Sequence, residues 1–88
     1  MQVLWCLEEL SKNLRTAEDS DPRSAAYDCE KYAFWLEKRG HRNYAEKLRD
    51  LGKALRDLRV QERAKLADMA KQVDDLRKTL QAAGIEEL

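Results

Sequence analysis

Several things that common protein classes require are scarce or missing in these 88 residues. Proline occurs once, at Pro22, and glycine three times, at Gly40, Gly52 and Gly84. Two cysteines, Cys6 and Cys29, are too few for a disulfide scaffold. No apolar run approaches the roughly 18 residues of a membrane span. The start, Met1-Gln-Val-Leu-Trp-Cys-Leu-Glu8, lacks the basic n-region of a secretory leader, and Glu8 and Glu9 cut its apolar run short. His41 is the only histidine, and no Cys-x-x-Cys, His-x-x-x-His or paired acidic cluster accompanies it, so no metal site is expected. There is no Gly-rich phosphate loop and no Ser/His/Asp set, so neither catalysis nor a cofactor is expected. These absences leave a soluble, cytoplasmic, non-enzymatic protein as the expectation.

What remains is charge and helix periodicity. Charged residues make up 39% of the chain and apolar ones 43%, the composition of an all-helical or coiled-coil protein rather than of a disordered tail. Net charge is zero, so the molecule as a whole has no bulk attraction for nucleic acid or anionic membrane. The distribution is uneven: residues 36–65 carry ten basic and five acidic side chains, between two acidic ends.

Three helices follow from the punctuation. The first is expected over about 2–16, where Val3, Leu7, Leu10 and Leu14 step by four, three and four. Leu4 and Trp5 widen its apolar face. It ends in the polar stretch 17–21, whose side chains compete with the backbone for hydrogen bonds. Asp21-Pro22 opens the second helix, over about 22–39, as N-cap and first helical residue. Gly40 is placed to close it in a left-handed cap. These two helices read as an antiparallel hairpin.

The third helix is expected to be long, from about 44 to 83, with Asn43 and Glu46 as a capping box and a Schellman ending at Gly84 and Ile85. Its seam changes register once. Leu48, Leu51, Leu55 and Leu58 fit one heptad frame; Leu66, Met69, Val73, Leu76 and Leu80 fit another, offset by four residues. Residues 59–65 between them have little to bury, and either a stutter or a break there satisfies the pattern. The first seam is expected to pack on the hairpin. The second has no obvious cover within the chain, so it is read as a self-association seam that makes the protein a dimeric helical bundle or coiled coil.

Two surfaces are candidates for a foreign partner. Tyr32-Ala-Phe-Trp35 cannot all face one core, because neighbours lie about 100° apart on a helix, so Phe34 or Trp35 must be exposed. With Arg39, Arg42 and Arg49 they form the expected partner-binding set. Arg42, Arg49, Lys53, Arg56 and Arg63 also fall on one line of the long helix, and Arg49, Lys53, Arg56 and Arg63 are candidate phosphate contacts. Cys6 and Cys29 lie on neighbouring helices and read as buried thiols, although spacing leaves open whether they pair. The functional expectation is a small dimeric helical regulator or inhibitor that binds another protein. It is comparable in scale to adaptors and to inhibitors carried by bacteriophages and mobile elements. The alternative is a nucleic-acid-binding regulator that uses the basic stripe.

Overall fold

The computed structural model describes residues 2–16, 21–59 and 61–85, and every regular element within them is an α-helix. The helices are α1 (Val3–Thr16), α2 (Pro22–Lys38), α3 (Arg42–Arg56) and α4 (Arg63–Ala82). They gather into a body of 35 × 18 × 18 Å. The turn read over 17–21 lies, apart from Asp21, outside the described residues.

The helix ends follow local chemistry. The Asp21 carboxylate accepts the Arg23 N–H at 2.9 Å, and Pro22 occupies the first helical position, where its missing N–H costs nothing. Gly40, at φ +86°, closes α2: its N–H bonds the Glu37 carbonyl and the His41 N–H bonds Leu36 O at 2.9 Å. The same residue begins α3, because Ala45 N–H donates to His41 O. Asn43 is therefore not the N-cap. The helix starts at Arg42, with His41 as a cap whose side chain makes no capping bond. Gly84, at φ +74°, ends α4 as expected, with Ile85 N–H bonded to Leu80 O and Ile85 buried.

The largest departure from the sequence reading is that the long helix over 44–83 is two helices. After Arg56 the backbone bonds tighten to i−3, from Asp57 to Ala54 O and from Leu58 to Leu55 O. The connection closes when the Glu62 carboxylate accepts the Arg59 N–H at 2.9 Å. Folding back places Leu66, Val73, Leu76 and Leu80 in the core, where each is under one-tenth exposed. Burying four such side chains is worth about 1.5–3 kcal/mol each. The few helical hydrogen bonds lost in the linker return about 1 kcal/mol each at most, since their groups bond water instead. A second copy could cover the same seam, but association costs about 4 kcal/mol or more that intrachain closure avoids.

That seam, expected to lack cover within the chain, finds it there. Packing runs chiefly between α1 and α4 and between α2 and α3, with thinner contact from α1 to α2 and from α3 to α4. Thus Leu66, Val73, Leu76 and Leu80 are buried within the chain, where α4 packs chiefly on α1, while Met69 stays half-buried. The hairpin of the first two helices is a minor contact rather than the platform for the rest.

Each helix pair carries one device that sets its register. In the α1–α4 pair, Ser11 is a buried polar residue of the core, and its hydroxyl lies 2.7 Å from Asp74 Oδ1. Arg15 bonds the other carboxylate oxygen, and Arg77 Nε, buried without a hydrogen bond, lies 3.6 Å from Oδ1. Burial opposes the charged carboxylate, but the Ser11 hydroxyl and the two guanidinium groups outweigh it and hold Asp74 below its ordinary pKa of 3.8. Asp74→Asn is expected to cost about 1–3 kcal/mol near neutral pH, because it removes a charge-assisted acceptor. The folded value lies below the unfolded one, so the carboxylate's contribution is complete above pH 3.8 and fades as pH falls through the folded value. Urea titrations of both proteins over that range should show the gap between them narrowing with acid.

In the α2–α3 pair the device is a close approach. Glu30 pairs with Arg56 and Glu37 with Arg49, an opposite order along the two helices that makes them antiparallel. Between the pairs sits Gly52, where an added Cβ would lie 3.1 Å from Cys29 Cβ and 3.3 Å from Ala26 O.

Candidate interaction surface

The helical positions of α2 divide its side chains by chemistry as well as by burial. Ala25, Ala26, Cys29, Ala33 and Leu36 face the core. Glu30 and Glu37 lie along the α3 side and are taken up by Arg56 and Arg49. These ion pairs are well exposed and contribute about 0–1 kcal/mol each, so their effect is on register and on where charge is left uncompensated. Opposite the core stand Tyr27 and Phe34, 68% and 56% exposed, with Lys31 and Lys38 between and beyond them.

The cations of this face are held against its rings. Lys38 Nζ lies 4.8 Å from the Phe34 ring centre, and the Arg39 guanidinium lies 4.3 Å from that of Trp35. Each such stack is worth about 0.5–1 kcal/mol at an exposed site. A shallow hollow opens among Lys31, Phe34, Trp35, Lys38 and Arg39, with half-buried Trp35 as its floor. Rings fixed by neighbouring cations lose little freedom when a partner arrives, which suits them to anchor an interface.

Of the partner-binding residues read from sequence, the structure brings together Phe34, Trp35 and Arg39. Arg42 is exposed at the start of α3, and Arg49 is engaged with Glu37. The basic stripe does not exist as a line: Arg49 and Arg56 are ion-paired to α2, and Arg63 lies on another helix beyond the break, which separates it from Lys53. The self-association set is interior apart from Met69. Sequence reasoning missed Trp5 and left Tyr27, a member of the aromatic cluster around α2, out of the partner-binding set. Trp5, expected to widen the buried face of the first helix, is 58% exposed. Its position two residues after Val3 and two before Leu7 places it on the far side of α1 from that seam, and this was the signal available.

Cys6 and Cys29 are both free thiols; Cys29 is buried as read, whereas Cys6 is only half-buried. Burial, reinforced by Asp28 and Glu30, pushes the Cys29 thiol up to about 12, so it carries no thiolate at neutral pH. Burial likewise raises the Tyr32 phenol, with Asp28 and Cys6 adding to the shift. Among the described residues, no three His, Cys, Asp or Glu side chains are grouped to hold a metal ion, and no helix is long and apolar enough to cross a membrane. No protein-family model, curated protein or solved structure matches the chain.

Proposed function

We propose that the chain is a non-enzymatic protein–protein interaction module, a small helical regulator or inhibitor that binds another protein through the outer face of α2. The observation that carries this proposal is the pairing of exposed Phe34 and half-buried Trp35 with Lys38 and Arg39, stacked on their rings. Large aromatic side chains left in water beside cations cost a monomer solubility and give a partner its strongest anchors. Self-association through Leu66, Val73, Leu76 and Leu80 is not proposed, because they are already buried within the chain.

Tagged wild type and the double variant Phe34→Ala/Trp35→Ala should be used for capture from lysate of the source organism, each with and without nuclease. A protein recovered in stoichiometric amount by wild type, retained after nuclease and lost with the variant, is the expected result. Recovery that disappears with nuclease and survives the double substitution would replace this function with a nucleic-acid-binding regulator.

A further inference from the structure

Resting on that proposal, the charge and spacing of the α2 face narrow the class of partner. Tyr27, Lys31, Phe34 and Lys38 follow one another at intervals of four, three and four. On a helix this is a straight stripe about 16 Å long, the spacing by which one helix receives another. The two aromatic residues stand seven apart, two turns of a partner helix. The two lysines alternate with them.

The stripe is also electrically unfinished. Two of its acidic neighbours on α2, Glu30 and Glu37, turn to α3 and are bonded by Arg56 and Arg49. Among the described residues, no salt bridge includes Lys31, Lys38 or Arg39. Asp28 feels Lys31 through space but makes no ion pair with it. The face therefore combines three cations outside any salt bridge, one of them within reach of Asp28, with exposed aromatic surface. We infer that it receives an acidic amphipathic helix of a partner protein. Apolar side chains of that helix would seat against Tyr27, Phe34 and Trp35, and its Asp or Glu residues would meet Lys31, Lys38 and Arg39. A nucleic acid is the weaker match. Three cations on one convex helix offer about three phosphate contacts, and the arginines that would extend them on α3 are already ion-paired.

The test uses a fluorescein-labelled helical peptide of about three heptads, with leucine at its a and d positions and glutamate flanking them. A lysine-flanked version and oligo-dT serve as the other probes, all titrated with the full chain by anisotropy. The glutamate peptide should bind wild type and weaken with salt. Lys31→Glu/Lys38→Glu should lower its affinity at least about tenfold and gain affinity for the lysine peptide, and Phe34→Ala should cost about tenfold as well. All three substituted positions are exposed, and unchanged circular dichroism verifies that the variants are folded. Equal binding of both peptides to wild type, or preference for oligo-dT, would overturn the inference. The same follows if wild type self-associates through this face and leaves both peptides unbound. Suppose the lysate partner is lost with Phe34→Ala/Trp35→Ala but held undiminished by Lys31→Glu/Lys38→Glu. The interaction function then stands and the acidic helix alone is refuted.

Discussion

Val73→Asp is expected to abolish the folded state or to leave it barely populated. Val73 is fully buried on α4, and an aspartate there would carry its charge into the apolar core. A buried unpaired charge costs about 3–5 kcal/mol before the lost valine contacts are added. A domain of this size has about 5–10 kcal/mol in total. Thermal melts and urea titrations followed by circular dichroism should show loss of cooperative unfolding, at a protein concentration where wild type is fully helical. Leu76→Asp should act the same way. Met69→Asp, at a half-buried position of the same helix, should be much milder. If Val73→Asp left helicity and stability intact while changing only the oligomeric state, the packing of α4 on α1 would be wrong.

Gly52→Leu is expected to be the next most damaging change. Glycine inside a helix normally sacrifices about 1 kcal/mol relative to alanine, so its presence in α3 needs a reason. The reason is the proximity of α2, where even a Cβ meets Cys29 Cβ at 3.1 Å and Ala26 O at 3.3 Å. For Gly52→Ala the gain in helix propensity and the tight contact oppose each other, and the outcome should lie near zero. A leucine must force α2 and α3 apart, with a loss of about 1–3 kcal/mol or more. Ala54→Leu, two residues on and exposed, provides the control and should be close to neutral. Denaturant midpoints of the three variants check the order directly.

Local chemistry made part of this architecture legible in advance. Asp21, Gly40 and Gly84 act on the peptide groups beside them, so the ends they set could be read without any tertiary knowledge. The break after Arg56 is different in kind. Residues 57–62 contain neither glycine nor proline, and nothing local forbids helix there. What ends α3 is the distant apolar seam of α1, which α4 can reach only by turning back. The offset between the two leucine frames recorded that there were two packing surfaces, but not which surface would cover the second. The aromatic face was legible for a geometric reason: consecutive Phe34 and Trp35 cannot both be buried on one helix. The ion pairs that dismantle the basic stripe were not, because Arg49 and Arg56 look solvent-directed until α2 places Glu37 and Glu30 beside them.

The claim at the centre is that a partner protein sits on the outer face of α2. Replacing Phe34 by a photo-crosslinking phenylalanine analogue tests it in the source cells, with the same analogue at exposed Lys71 on α4 as the comparison. The predicted result is a discrete protein adduct from position 34 and none from position 71. An adduct from 71 alone, or nucleic acid crosslinked at 34, would contradict it.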